Sequence, residues 1–303
     1  MITRIATLCT LLLLCTVPAH AQQIADPAFK AIVEHPAFTK VFPRVLFDEA
    51  HNNFHTAEGR YKPFADLISN DGYHVVRGRK PFTKESLDTF KLLVIANALG
   101  AEETDDVGAE NSAFTDQECE TVSDWVRGGG SLLLIAGPTP FANAAENLAK
   151  RFNVTMNKGA AHDPANHEAG HDDWIVYSRA NKLLPDHPIN AGRNDEEKLK
   201  RVIAFGGQSV KGPEDSTAFL KFSDTAVARL MPAPAKEEPA AGKTQGIAMK
   251  FGKGRIVILG EADMLSALLG GPGGKEPIGM NYPDIDNQQL ALNIVHWLSG
   301  LLK

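Results

Sequence analysis

The sequence predicts an α/β fold built on an open, doubly wound sheet. Three observations predict it. Four short apolar runs, at 44–48, 92–97, 131–137 and 255–260, are continuous rather than alternating, the pattern of strands buried on both faces. Helical periodicities with recognisable start and stop signals lie between them. The joints are short, so strand and helix alternate along the chain.

The chain opens with Arg4, an apolar run from Ile5 to Leu14, then Pro18 and Ala19-His20-Ala21. A positive start, a short apolar core and a small-x-small exit read as a cleavable secretory signal over residues 1–21. The run is too short to span a bilayer. Cys15 follows Leu12, Leu13 and Leu14, without the small residue that a lipid-attachment site wants immediately before the cysteine. The expected location is therefore periplasmic or secreted, after cleavage near Ala21. Cleavage removes Cys9 and Cys15 and leaves only Cys119, so the exported chain rests on its core rather than on a disulfide.

Residues 22–303 read as one large α/β domain. Arg44–Asp48 is the first strand, followed by a dense polar loop, Asp48-Glu49-Ala50-His51-Asn52-Asn53-Phe54-His55. Tyr61, Phe64, Ala65 and Ile68 share a helical face, and Asn70-Asp71-Gly72 stops that helix. Phe82, Thr83 and Leu87 have the spacing of a stapled, capped short helix. Thr115 with Glu118 forms a capping box, and Phe114 and Cys119 are its staple. Cys119, Val122 and Val126 continue the apolar face, and Gly128-Gly129-Gly130 ends the helix.

A polar, His-rich insertion spans about 157–194, in which only Trp174–Tyr177 resembles a strand. Val202–Phe205 and Ala218–Phe222 read as added strands. The Pro/Ala-rich stretch at about 231–244 has the composition of a flexible loop. Gly246–Phe251, Gly252-Lys253-Gly254 and the Ile256 strand form a hairpin pattern. A final helix opens near Asp286, with Leu290, Ile294, Trp297 and Leu301 on one face.

Ligands of open α/β sheets bind beyond the carboxyl ends of the strands. The residues placed there are Asp48, Glu49, His51, Asn52, Asn97, Gly137 and Glu261, joined by Asn281 and Asn287 before the last helix. Asp48, His51 and Glu261 are the candidate catalytic residues, a carboxylate and imidazole set suited to acid–base work or to metal binding. The alternative is that the carboxylates cap helices and loops. No firm metal site emerges. A divalent metal is the one candidate cofactor, with two ligand sets: His51 and His55, spaced to share a helical face, or His162, His167 and His171 with Asp163, Asp172 and Asp173, whose spacing matches no compact zinc signature. The net charge of −6, with no basic stripe, argues against nucleic acid as a partner.

Several segments together resemble a family. They are Asp48-Glu49-Ala50-His51-Asn52, the run Trp125-Val126-Arg127-Gly128-Gly129-Gly130-Ser131 with its following apolar strand, His187-Pro188-Ile189, Gly254–Glu261, and Asn287–Leu298 with Asn293 and Trp297. The chain resembles exported bacterial proteins with a class I glutamine amidotransferase-like domain, akin to the gliding-motility auxiliary components of ABC transporters. The resemblance implies a three-layer flavodoxin-like fold with a mainly parallel central sheet. It does not bring glutaminase chemistry with it. The corresponding strand-to-helix turn is Ala136-Gly137-Pro138-Thr139-Pro140 and holds no cysteine, whereas such an enzyme needs a nucleophilic Cys there with a His beside it. Two functions follow as expectations. One is a non-catalytic domain binding a small polar, sugar-like ligand or an envelope protein. The other is a hydrolase, metal-dependent or not, acting on a carbohydrate or amide through Asp48, His51 and Glu261.

Overall fold

The computed structural model describes residues 23–230 and 236–303. The segment read as a secretory signal, and Cys9 and Cys15 with it, lies outside the described residues.

The four apolar runs are strands, and a fifth joins them. The parallel strands are Arg44–Asp48 (first), His74–Gly78 (second), Leu92–Ala96 (third), Ser131–Ile135 (fourth) and Gly254–Leu259 (fifth). They lie in the spatial order second, first, third, fourth, fifth. The second strand was not read from sequence. It is an edge strand with the half-exposed sequence His-Val-Val-Arg-Gly, so it lacks a continuous apolar run.

Beyond the fifth strand the sheet turns antiparallel. Thr244–Phe251 pairs with the fifth strand through the expected hairpin, and Thr217–Lys221 and Val210–Lys211 pair with Thr244–Phe251. Thr155–Met156 closes that edge. The nine-stranded sheet is therefore mixed. The expectation of a mainly parallel sheet describes only the half that begins at the second strand.

Six helices occur among the described residues: α1 (Lys62–Asn70), α2 (Lys84–Leu87), α3 (Asp116–Gly128), α4 (Phe141–Lys150), α5 (Pro188–Ala191) and α6 (Asn287–Ser299). They cover both faces of the parallel half. Val45, Phe47, Val94, Leu133 and Val257 point to one face and pack with Phe64 and Leu67 of α1 and Leu290, Ile294 and Leu298 of α6. Their neighbours Leu46, Leu93, Leu132, Leu134 and Ile256 point to the other face and meet Val122 and Val126 of α3 and Leu148 of α4. Alternate residues of one strand thus feed two cores, which is why the runs are apolar throughout.

Start and stop signals bound the helices. Thr115 and Glu118 form a reciprocal capping box at α3, and Thr83 with Ser86 does the same at α2. Gly72 ends α1 at φ 96°, where a Cβ would sit 1.9 Å from the Phe38 carbonyl oxygen, so only glycine fits. Asp71 beside it is fully buried, accepts from the Ala37 N–H at 2.8 Å and pairs with His296 Nε2 at 2.6 Å. Helix α6 is buried all round, because α5 and the insertion cover its outer side, and Leu301 lies past its end, exposed.

The polar insertion is more ordered than its composition suggests. His171–Ser178 pairs with Arg201–Ala204 and with His167–Glu168, and Ala160–His162 pairs with Val227–Leu230. Trp174, Ile175 and Tyr177 join the core, and the Tyr177 hydroxyl donates to Gln245 Oε1 at 2.6 Å. In its described part the Pro/Ala-rich stretch is strand as well as turn. Lys236–Pro239 is a strand against Val227–Leu230, its charged outer face suiting an edge.

Candidate functional site

The carboxyl ends of the parallel strands carry two separate polar clusters. Both are built from the loop after the first strand.

The first cluster is closed. Asp48, buried at the strand end, receives His51 Nδ1 at 2.9 Å on each oxygen, Asn53 Nδ2 at 3.0 Å and the Ala50 N–H at 3.2 Å. His51 Nε2 lies 2.9 Å from Glu118 Oε1. The other Glu118 oxygen accepts the Thr115 N–H and hydroxyl, and Oε1 also accepts the Phe82 N–H. Phe82 and Phe114 flank the imidazole, each with its centroid 4.7 Å away. An ionised carboxylate only accepts, so both ring nitrogens of His51 donate and the ring is an imidazolium. Burial opposes that charge, but Asp48 and Glu118 outweigh it and raise the His51 pKa. Burial also opposes the charge on Glu118, yet Thr115, His51 and Phe82 pull it down to about 2.

The second cluster opens on a cavity of about 230 Å³ lined by His55, Asn97, Gly137, Glu261 and Asp263, with Phe54, Phe141 and Phe205 as apolar walls. Asn97 ends the third strand at φ 48°, a left-handed conformation that Asn tolerates better than most residues. Its Oδ1 accepts the Gly137 N–H at 2.9 Å, and its Nδ2 meets His55 Nδ1 at 3.2 Å. His55 is only 2 % exposed, and its Nε2 makes no hydrogen bond. Asp263 Oδ1 is 3.4 Å from that nitrogen. Arg60 covers the Phe54 ring, 3.8 Å from its centroid.

Glu261 ends the fifth strand and receives the N–H groups of Asp263 and Met264 at 2.6 and 2.7 Å. Burial, with Asp263 beside it, pushes its carboxyl up to about 8 against those donors. Gly207 stands against Glu261 at φ 98°, where a Cβ would come within 2.6 Å of the Glu261 Cβ.

Three of the nine site residues read from sequence, Asn97, Gly137 and Glu261, line the cavity. Asp48 and His51 saturate each other in the closed cluster and do not join Glu261 among the cavity-lining residues. Glu49 is held by Arg77 at 2.7 Å and by the Ala57 N–H. Asn52 is exposed at φ 48°. Asn281 bonds Asp26 and the Leu268 carbonyl, and buried Asn287 brackets the Ile203 backbone and the Met264 carbonyl. Asp263 and the three phenylalanines were missed, since nothing in their spacing separates them from core and cap residues. Glu118 was read as a cap, which it is; its second partner is 67 positions away.

No group of three or more His, Cys, Asp or Glu suited to a metal ion occurs among the described residues. His171 stacks on Trp174 with centroids 3.6 Å apart and faces Glu276, and His167 Nδ1 lies 3.0 Å from the Glu168 carbonyl oxygen. His187 caps α5 through Nδ1, and burial pushes its pKa down to about 4. Cys119 is fully buried on α3, its thiol pushed up to about 11 by burial. The Thr139 hydroxyl donates to Asn143. A larger cleft of about 770 Å³ runs between Ile32–Pro36 and Arg193–Glu197, but Arg193 and Glu197 there bond each other.

No protein-family model matches the sequence, and no curated protein matches it. Among solved structures the chain is similar to the mmIFT52 N-terminal domain, at 15 % identity and a TM-score of 0.57, over 84 % of this chain and 97 % of that one. It is also similar to Cytoplasmic Protein STM3548 from Salmonella typhimurium, at 11 % identity and a TM-score of 0.51, over 85 % and 99 %. At such identities the likeness is one of fold alone.

Proposed function

We propose that the chain is an exported, three-layer flavodoxin-like domain of the class I glutamine amidotransferase-like kind. On this reading it binds a small polar ligand, or an envelope partner, and does not hydrolyse glutamine. Export rests on the composition of residues 1–21. The flavodoxin-like assignment rests on the order of the five parallel strands, in which the sheet reverses direction between the first and third strands, the switch point where such sheets bind ligands.

The observation that carries the binding reading is the composition of the cavity at that switch point. Asn97, Glu261 and Asp263 there are held by His55, by Gln23 and by backbone, His55 Nε2 is left without a hydrogen-bond partner, and no Ser, Thr or Cys lines the cavity. The test is thermal melting of the purified protein across a panel of small polar compounds. A true ligand at a hundred times its Kd adds about 2.7 kcal/mol of stability. A panel with no rise in melting temperature, together with pull-downs that recover no envelope partner, defeats the proposal.

One observation favours hydrolysis as a second reading. Glu261 and Asp263 are neighbouring carboxyl groups, and Glu261 is raised to about 8, as in acid–base pairs whose members are pushed apart. Under that reading Glu261→Gln abolishes turnover of an identified carbohydrate or amide substrate. Unchanged turnover removes Glu261 from the chemistry.

A further inference from the structure

We infer that the cavity takes a neutral hydroxylated ligand, a single sugar-like ring, held between His55 and Asp263. This deepens the binding reading above and rests on it.

The argument starts at Gly137. Its N–H donates to Asn97 Oδ1 at 2.9 Å, which fixes the amide so that Nδ2 faces His55 Nδ1 at 3.2 Å. An amide nitrogen only donates, so His55 Nδ1 offers its lone pair and the hydrogen of the neutral ring sits on Nε2. That N–H is buried and has no partner. Asp263 Oδ1, 3.4 Å away, is close without being aligned for a hydrogen bond. An unmade bond of this kind is costly, and a ligand atom entering the cavity relieves it.

The pair selects the ligand. A donor and an acceptor this close match one hydroxyl group, which accepts from Nε2–H and donates to the carboxylate. An ammonium ion has only hydrogens to offer and leaves Nε2–H unmet. A carboxylate ligand accepts from His55 but meets the Asp263 carboxylate in the same cavity. Phe54 and Phe141, with centroids 5.4 Å apart, present apolar surface suited to the C–H face of a ring. The volume of about 230 Å³ lies below the range of about 300–1,000 Å³ typical of drug-sized pockets, which suits a single ring.

The test uses the purified protein with four probe sets at equal concentration: glucose, galactose and mannose; acetamide and propionamide; acetate; and ethylamine. Melting temperature and imidazole nitrogen chemical shifts are read for each. Expected in the free protein is His55 with its hydrogen on Nε2, and a hydrogen on Nδ1 overturns the inference. At least one monosaccharide should raise the melting temperature and shift the His55 resonances. Asp263→Asn should weaken that binding at least tenfold. Asn97→Asp keeps the acceptor for Gly137 but turns a carboxylate oxygen to Nδ1, and should weaken it similarly.

Sugar binding that both variants leave intact overturns the assignment to this cavity. Selective binding of the amides, acetate or ethylamine, lost in Asp263→Asn, overturns the ligand class while the binding reading stands. If no probe moves the His55 resonances, the sugar inference fails. The wider binding reading then stands or falls on the broader melting panel and the pull-downs.

Discussion

His51 and His55 leave one loop, four residues apart, and both are buried. His51 has a carboxylate on each nitrogen and an aromatic ring on either flank. His55 has an amide on one nitrogen and nothing bonded to the other. The first arrangement has every bond made, so its chemistry is spent on tying the first strand to α3. The second leaves one bond unmade beside a cavity. Buried polar groups are rarely left so, and this one borders a cavity.

The comparison breaks most visibly at His51. Replacing it by Leu leaves Asp48 and Glu118 facing each other without a cation, and should cost about 3–5 kcal/mol by urea unfolding. A loss below about 1 kcal/mol would mean the cluster is not an ion triad.

Next in size is the dependence on pH, where the two clusters divide by window. Glu261 is raised from 4.5 to about 8, so between those values the folded state keeps a proton that the unfolded state has lost. Stability then falls as pH rises through that window. His51 is raised above 6.5; its contribution is complete below 6.5 and is lost as pH rises through its folded value. Glu118, lowered to about 2, contributes above 4.5 and loses that contribution as pH falls toward 2. Melting curves from pH 4.5 to 6.5 should therefore show a shallower decline for Glu261→Gln than for the parent. His51→Leu should keep the parent slope there and flatten only above 6.5. Identical slopes for Glu261→Gln and the parent would show that Glu261 titrates normally.

Asn97→Ala should cost about 2 kcal/mol, combining a left-handed backbone without Asn and an unpaired Gly137 N–H. The smallest effect is expected at His55→Leu, about 1 kcal/mol or less in the ligand-free protein, because only one bond to Asn97 is lost. If His55→Leu proved as damaging as His51→Leu, His55 would be a structural residue and the cavity would lose its claim.

Much of the architecture is legible in the sequence, because burial on both faces writes a strand as a continuous apolar run, and both capping boxes are local. The antiparallel half is harder. The Lys236–Pro239 strand is polar because it lies at an edge, and His171–Ser178 carries an apolar signature only in its Trp174–Tyr177 part. The site divides in the same way. Asn97, Gly137 and Glu261 follow from the strand-end rule, whereas Glu118 reaches His51 across 67 positions and Asp263 sits in a single short turn. Sequence spacing shows which groups share an element, not which of them satisfy one another, and that is what removed Asp48 and His51 from the cavity.

The wiring of the sheet bears on how the chain is made. The fifth strand comes from residues 254–259, yet it lies between the fourth strand and Thr244–Phe251, near the middle of the sheet. Even the short Ile24–Ala25 strand finds its partner only at Leu268–Leu269. A ribosome-bound chain therefore cannot close its central sheet until nearly all of it has been synthesised, and contacts this distant in sequence form slowly. Such a polypeptide keeps the apolar faces of its central strands uncovered for most of its synthesis.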